Sequence, residues 1–272
     1  MPTISVNGLD AYYEDDDFTD DWRGDVETIV IQHGIGRNSV FWNHWVPPLA
    51  GRYRVIRRDL RGFGRSGDPG PDYVWAMEDL LADLEGFLDA LGLDSVHYLG
   101  ESIGGPLGIA FAASRPGRLK SLALCSSPTE LKSKQQFFAL GQKSRADVVA
   151  NIGVEGMTRA LIERGMTHAS SPEHAEWVVR QWCLTPPHVM TNIAGLSTTF
   201  DVGPLLGQVA IPTLVMAPAN SPATTLADQI AMAKAIPGAQ IVVANRPGHE
   251  IYITDAEVCI AAYQRFLAEP VS

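Results

Sequence analysis

Short apolar segments alternate with helical segments along this chain of 272 residues, and this alternation is the feature that most limits its fold. The apolar segments are rich in β-branched residues and end sharply, as buried parallel strands do. They lie at residues 29–34, 53–59, 96–100, 119–127, 212–217 and 239–245. Amphipathic helical patterns separate several of them, most clearly at residues 76–92, 224–238 and 256–268. The alternation predicts an α/β fold with a mostly parallel central sheet and helices on both faces.

Two segments depart from the alternation. Residues 3–14, TISVNGLDAYYE, predict an antiparallel hairpin at one edge of the sheet, with Asn7 and Gly8 as its turn. Residues 129–200 have helical patterns without a strand between them. We therefore predict a helical cap at 129–200, inserted between sheet strands, and a core made of residues 1–128 and 201–272.

The charge and the apolar residues of the chain limit the kinds of molecule that we expect it to bind. The formal net charge is −10, which disfavours nucleic acid as a partner because its phosphates require basic surface. The N-terminal residues lack a basic region and a long apolar run, so we expect neither a signal peptide nor membrane association. Three scattered cysteines, Cys125, Cys183 and Cys259, favour a cytoplasmic location and buried thiols. The sequence leaves the oligomeric state open, a homodimer included.

The motif with the clearest chemical meaning is Gly-Glu-Ser-Ile-Gly, from Gly100 to Gly104. It follows a predicted strand and begins a predicted helix, as a nucleophile elbow requires. Side chains at the two glycines would collide with the neighbouring strand and helix in so tight a turn. The turn would present the Ser102 hydroxyl at the carboxyl edge of the sheet, where ligands bind in open α/β sheets.

A serine nucleophile needs a base and donors for the oxyanion. His249 follows the last predicted strand in the segment PGHE, and the order serine before histidine fits this architecture. The backbone amide of Ile103 is the first predicted oxyanion donor. We predict the amide of Ile35 as the second, with Gly36 as the alternative, because the glycines of HGIGRN allow close approach of a substrate.

Together these motifs resemble the α/β-hydrolase family along nearly the whole chain. The segments that carry the resemblance are HGIG, RDLRGFGRSGDP at 58–69, GESIGG and the late PGH. Within the family, the layout is similar to enol-lactonases of aromatic catabolism and to zearalenone-type lactonases. The resemblance implies a serine hydrolase that cleaves a lactone or ester through an acyl-enzyme, without metal or organic cofactor.

The acid that orients the histidine in this family is missing from its usual position. After the strand at 212–217, alignment on Pro222 places Ser221 where the family usually has Asp. Some relatives place the acid after the preceding core strand, where the first carboxylate here belongs to Glu130. We predict Glu130 as the acid, with Asp201 and Asp228 as more remote candidates. The remaining option is a Ser–His dyad oriented by hydroxyls, an amide or water.

The predicted cap suggests an apolar small-molecule substrate or a lactone. Phe137, Trp177 and Trp182 are the residues that we expect to bind it, since pockets between cap and core are commonly apolar. Two other enzymatic functions fit the same motifs, hydrolysis of a C–C bond and cofactor-free oxygenation. A non-catalytic receptor is a third option, although a binder need not retain Ser102, His249 and the HGIG segment together.

Overall fold

The computed structural model describes residues 2–268 and contains an eight-stranded sheet in the order β1-β2-β4-β3-β5-β6-β7-β8. Strands β1 and β2 pair antiparallel, β2 pairs antiparallel with β4, and the remaining pairs are parallel. The strands are β1 (Thr3–Val6), β2 (Leu9–Asp16), β3 (Thr28–Gln32), β4 (Arg54–Arg58), β5 (Val96–Glu101), β6 (Leu119–Cys125), β7 (Thr213–Pro218) and β8 (Gln240–Ala244). This confirms the predicted α/β class and sheet, because each predicted strand overlaps an observed one.

The predicted hairpin at the sheet edge is also confirmed. Asn7 and Gly8 connect β1 to β2, both with positive φ, at 50° and 80°. A two-residue turn of this type suits the right-handed twist of the flanking strands. The hairpin therefore adds the two antiparallel strands without disturbing the parallel strands that end at the site.

Helices cover the sheet and the connection between two of its strands. They are α1 (Val46–Leu49), α2 (Met77–Ala90), α3 (Gly104–Ser114), α4 (Gln135–Phe138), α5 (Arg145–Glu163), α6 (Pro172–Trp182), α7 (Pro187–Thr199), α8 (Leu226–Ala235), α9 (Ile251–Thr254) and α10 (Ala256–Ala268). Sequence features begin several of them. Ser171, for example, accepts a hydrogen bond from the His174 N–H at 3.2 Å and Pro172 follows it as the first residue of α6.

The helices α4 to α7 all lie between β6 and β7, and we call this part of the chain the helical segment. It falls within the range predicted as a cap, and the division of the chain into two units there stays a prediction. Helix α5 is interrupted at Gly153, whose φ of 69° and ψ of 178° are not helical. Within the helical segment, α5 packs against both α6 and α7.

The carboxyl ends of the parallel strands place the candidate residues together. Strand β3 leads into the HGIG segment, β5 into Ser102, β7 into Ser221 and β8 into His249. Residues from distant parts of the sequence meet at this edge because parallel strands all end on the same side of the sheet.

Candidate active site

Ser102 lies on the predicted elbow between β5 and α3, with a φ of 52° that non-glycine residues rarely adopt. A Cβ at Gly100 would overlap the backbone of Gly104, and a Cβ at Gly104 would lie 2.6 Å from the carbonyl oxygen of Gln32. The Tyr98 hydroxyl donates to the Gly104 carbonyl at 2.8 Å. Both glycines are therefore required by close packing, and the turn holds Ser102 in a strained conformation.

His249 lies in the loop between β8 and α9 and is buried. The Ser126 hydroxyl donates to the carbonyl of His249 at 2.6 Å. The N–H of Gly248 donates to the carbonyl of Asn220 at 3.0 Å. The ends of β6 and β7 thus fix the backbone that positions the imidazole.

Ser221 is the residue that contacts the Nδ1 side of this imidazole. Its Oγ lies 3.1 Å from Nδ1 of His249. The same oxygen accepts hydrogen bonds from the backbone N–H groups of Ala223 and Thr224, each at 3.2 Å. The Thr224 hydroxyl also donates to this oxygen, at 3.2 Å, so four groups converge on one hydroxyl at the position where the family usually has a carboxylate. A hydroxyl can orient the ring, but it has no charge to balance an imidazolium.

The structure does not bring Glu130 to the imidazole. Its carboxylate accepts hydrogen bonds from the backbone N–H and the hydroxyl of Ser133, at 3.0 and 2.5 Å. Within residues 2–268 it makes no hydrogen bond or ion pair with His249. The loop after β6 turns the side chain toward the start of the helical segment, so Glu130 caps a local turn there.

The two remoter carboxylates also have local partners. Asp201 accepts a hydrogen bond from the Gly203 N–H at 2.8 Å. Asp228 forms a capping box with Thr225 at the start of α8. Neither contacts His249 in the described part of the chain. Of the options left open by the sequence, the contact of Ser221 with Nδ1 matches a histidine oriented by a hydroxyl, and within residues 2–268 no hydrogen bond joins Ser102 to His249.

Glu101 is a buried carboxylate beside His249 that the sequence analysis missed. Its Oε1 lies 3.5 Å from Nε2 of His249, and its Oε2 accepts the Gly34 N–H at 2.6 Å. Burial, together with the Glu250 carboxylate and against the opposing effects of Arg37 and the Gly34 N–H, raises the pKa of Glu101 to about 7. The sequence did contain a signal, because Glu101 directly precedes the predicted nucleophile. The G-x-S-x-G motif accepts any residue at that position, so the motif itself did not point to the carboxylate.

An ion pair fixes the surroundings of Glu101. Arg37 Nε lies 2.6 Å from Glu250 Oε1 and 3.9 Å from Glu101 Oε1, and all three side chains are buried. Although burial lowers the pKa of Arg37, the carboxylates of Glu250 and Glu101 raise it above its ordinary value. Glu250 also accepts the backbone N–H of His168 from the helical segment. Glu250, the residue next to His249, is thereby joined to the helical segment.

His249 has the protonation state that a general base needs. Burial, assisted by the Arg37 guanidinium, lowers the pKa of His249 to about 3. The imidazole is therefore neutral at pH 7 and its Nε2 can accept a proton. Nε2 has no hydrogen-bond partner among residues 2–268.

The backbone N–H groups predicted as oxyanion donors have no acceptor within the described part of the protein. Within residues 2–268, the backbone N–H groups of Ile35, Gly36 and Ile103 donate to no acceptor of the protein. Gly36 has a φ of 80°, and a Cβ there would overlap the ring of Trp182. The loop after β3 therefore passes directly beneath a side chain of α6.

A small, largely apolar cavity of about 20 Å³ lies between Ser102 and the helical segment. Ile35 lines it from the loop after β3, and residues of the helical segment complete its wall, among them Phe138, Met157, Trp182 and Met190. Trp182 thus lies where a substrate residue was predicted.

The other two predicted substrate residues lie elsewhere. Phe137 packs edge-on against Phe138, with ring centroids 5.3 Å apart, and Trp177 packs against Phe41 at 5.0 Å. Neither lines the cavity within the described part of the chain. The helical spacing showed which side chains are apolar but not which of them face Ser102.

Three further observations concern metal binding, membrane-spanning helices and the cysteines. No group of three or more His, Cys, Asp or Glu side chains within residues 2–268 is placed to hold a metal ion. In the same range, every helix is too short or too polar to cross a lipid bilayer. Cys125 and Cys259 are buried as predicted, whereas Cys183 is exposed because it follows the last residue of α6.

Comparison with known proteins places this geometry in context. The chain is 29% identical over 253 residues to a protein of Caulobacter sp. (strain K31) named "Putative carbamate hydrolase RutD", covering 90% of this chain and 91% of that one. It is 25% identical over 202 residues to 3-oxoadipate enol-lactonase 1 of Acinetobacter baylyi, covering 74% and 73%. The crystal structure of the enol-lactonase from Burkholderia xenovorans LB400 superposes with a TM-score of 0.85 at 25% identity, covering 98% of this chain and all of that one. A family model described as the alpha/beta hydrolase fold matches residues 27–256, and the chain belongs to that family.

Proposed function

We propose that the protein is a serine hydrolase that cleaves a carboxylic ester or lactone through an acyl-enzyme. The observation that supports this most strongly is Ser102 itself, strained on its elbow and lining an apolar cavity beside the free N–H of Ile103. The backbone conformation of Ser102 destabilises the folded state by about 1–3 kcal/mol. A serine in this turn therefore gives the fold no advantage in stability. Among relatives of this chain, 3-oxoadipate enol-lactonase is named for a lactone.

The first half of the reaction forms the acyl-enzyme. Ser102 Oγ attacks the carbonyl carbon while its proton passes to Nε2 of His249. The N–H groups of Ile35 and Ile103 stabilise the resulting oxyanion. The tetrahedral intermediate then collapses, and the C–O bond to the leaving alcohol breaks as the imidazolium returns its proton to that oxygen.

The second half releases the acid. Water takes the place of the alcohol, gives its proton to His249 and attacks the acyl carbon from the same side. The C–O bond to Ser102 breaks and the serine recovers its proton. In a lactone the alcohol and acid belong to one product, which leaves after this step.

Two side chains support the imidazolium that forms in both halves. The Ser221 hydroxyl orients the ring through Nδ1, and the Glu101 carboxylate lies 3.5 Å from Nε2 and supplies the negative charge that Ser221 lacks. Glu101 thus has part of the electrostatic role of the missing acid, from the opposite side of the ring. Because this arrangement is weaker than a carboxylate on Nδ1, activated substrates such as lactones and enol esters suit it best.

Labelling with a fluorophosphonate tests the proposal. The wild-type protein should be labelled once per chain and should hydrolyse 4-nitrophenyl acetate, and Ser102→Ala should lose both properties. Ser170→Ala, which removes an exposed serine of the helical segment, is the matched control and should behave as wild type. Labelling of Ser102→Ala at the wild-type level would exclude Ser102 as the nucleophile.

The absence of a carboxylate on Nδ1 also favours one alternative. In a cofactor-free oxygenase the histidine deprotonates the substrate and the serine is secondary, so a strong imidazolium partner is not required. Oxygen consumption with an acidic aromatic substrate would separate this alternative from hydrolysis, which consumes no oxygen. Hydrolysis of a C–C bond is the other alternative, and its products distinguish it.

A further inference from the structure

Arg145 is a buried guanidinium beside the cavity that contains Ser102. It is the first residue of α5 and only 4% exposed. The guanidinium carbon lies 4.8 Å from the centre of the Phe138 ring. Nη1 of Arg145 has no hydrogen-bond partner, and no carboxylate within residues 2–268 forms an ion pair with it.

The other arginine on the cavity wall is a useful comparison. Arg37 has the Glu250 carboxylate at 2.6 Å and donates to the Ile35 carbonyl at 2.9 Å. Its charge is therefore matched within the protein. Burial lowers the pKa of Arg145 to about 10, with no charged group acting against it, so this side chain is still protonated at pH 7. The cavity wall consequently has one positive charge in excess.

A buried charge without a partner is costly, because water is removed and nothing replaces it. Stacking on Phe138 offsets this in part, because the face of an aromatic ring attracts a cation. The N–H groups of the guanidinium remain unsatisfied. A carboxylate from a ligand would satisfy them, because two of its oxygens match the planar fork of an arginine.

We propose that Arg145 is a binding site for a carboxylate on the substrate, so that the enzyme acts on esters or lactones that bear a second, anionic end. This inference rests on the proposed function, because the same cavity must hold the scissile carbonyl at Ser102. Most of the other residues that line the cavity are apolar, Met157, Leu161 and Met190 among them. We therefore expect an apolar chain between the carbonyl and the carboxylate of the substrate, and the cavity of about 20 Å³ must widen to admit it.

One excess charge fits a monoanionic group better than a phosphate dianion. Trp182 adds a second donor to the wall, since its Nε1–H is buried without a partner among the described residues. An indole N–H and one guanidinium together supply the directional donors that a single carboxylate needs. A phosphate monoester would bring a further negative charge without a second free cation.

A matched pair of esters tests the proposal. Mono(4-nitrophenyl) adipate bears a free carboxylate, and methyl 4-nitrophenyl adipate has the same chain with that carboxylate masked. We expect wild type to show a kcat/KM at least about tenfold higher for the anionic ester, mainly through KM. Arg145→Met should remove this preference, and Arg145→Lys should restore part of it. Arg159→Met, at an exposed arginine paired with Glu155 and Glu176, is the control and should keep the full preference.

Both esters are measured with the same protein sample. A change in the folded fraction of a variant therefore cancels in the ratio of the two kcat/KM values. Equal rates for the two esters in wild type, or an undiminished preference in Arg145→Met, would overturn the proposal. A second readout covers the case in which neither ester is turned over. Monomethyl adipate should raise the Tm of wild type more than dimethyl adipate does, and the difference should vanish in Arg145→Met; equal shifts in wild type would refute the site. Wild-type activity in Ser102→Ala would instead contradict the proposed function and leave the binding result independent.

Discussion

The Ser221 hydroxyl lies 3.1 Å from Nδ1 of His249, at the point where two backbone N–H groups also converge on its oxygen. A carboxylate at this point would accept all three hydrogen bonds and would balance the imidazolium. In a well-studied triad, loss of the acid's charge lowers kcat about ten-thousand-fold. The chain thus retains the geometry of the acid position without its charge.

Ser221→Asp should therefore increase activity. The new carboxylate would meet Nδ1 and the N–H groups of Ala223 and Thr224 without rearrangement of the loop, and we expect kcat on an activated ester to rise by roughly tenfold or more. Steady-state kinetics with 4-nitrophenyl acetate measure this. Ser221→Ala should lower kcat, since the ring loses its orienting partner, and it should lower stability by about 1–3 kcal/mol because two N–H groups lose their acceptor.

Glu130→Gln serves as the control for the Ser221 variants. Its carboxylate bonds only to Ser133 among the contacts described above, so activity should stay within about twofold of wild type. A large loss in Glu130→Gln together with no effect in either Ser221 variant would show that the loop after β6 closes on His249 when substrate is bound.

His249→Ala and Ser102→Ala should each lower kcat by several orders of magnitude, and the double variant should be no worse than either. The two side chains act as one unit, so the first substitution already abolishes their joint contribution to kcat and the second lowers it no further. The measurement is kcat/KM for one ester with the three variants, with folding checked by circular dichroism. Losses that multiply in the double variant would mean that the two residues act in separate steps.

Glu101→Gln should change the pH dependence of the reaction. Burial raises the pKa of Glu101 to about 7, so the carboxylate gains its charge as pH rises through neutrality and then stabilises the imidazolium 3.5 Å away. In wild type, kcat/KM should rise through an inflection near pH 7. The glutamine keeps an acceptor for the Gly34 N–H but cannot ionise, so this inflection should disappear and activity at pH 8 should fall roughly tenfold.

Stability gives an independent check on Glu101. Its folded pKa lies above the ordinary value of about 4.5, so the native state binds more protons than the unfolded state between about pH 4.5 and 7. Wild type should therefore lose stability relative to Glu101→Gln as pH rises through that window. Parallel Tm curves for the two proteins from pH 5 to 8 would show that Glu101 titrates normally.

Gly100→Ala should destabilise the fold more than most glycine substitutions. The added methyl group would overlap the backbone of Gly104, which cannot move without displacing the start of α3. We expect a loss of about 1–3 kcal/mol or more, seen as a lower Tm. Gly51→Ala is the matched control, because a Cβ there meets nothing within 4 Å. Equal Tm values for the two variants would indicate that the elbow relaxes.

The contrast between the elbow and the acid explains what the sequence could predict. Gly100, Ser102 and Gly104 are fixed by a local steric requirement, and a strand before them and a helix after them complete the pattern. The positions of the Glu101 and Glu130 carboxylates depend instead on the direction in which a turn or a loop orients each side chain. Glu130 was favoured because it is the first carboxylate after a core strand, yet four residues of loop are enough to turn it toward Ser133.

The charges around His249 illustrate a second limit. Arg37 and Glu250 are 213 positions apart, and nothing in either local segment indicates their ion pair. The burial of Arg145 is a further case, since most arginine side chains in folded proteins are exposed. Its burial follows from the packing of α5 over the cavity, which is a property of the assembled fold.

The contact between Gly36 and Trp182 limits how this chain can be recombined with its relatives. Any side chain larger than hydrogen at Gly36 would displace the indole, and loss of the indole would leave a hole above the predicted oxyanion donors. A chimera that takes its helical segment from another hydrolase must therefore exchange the loop after β3 together with it. Substrate range in this lineage should accordingly be inherited as a loop-and-helix pair rather than through either part alone.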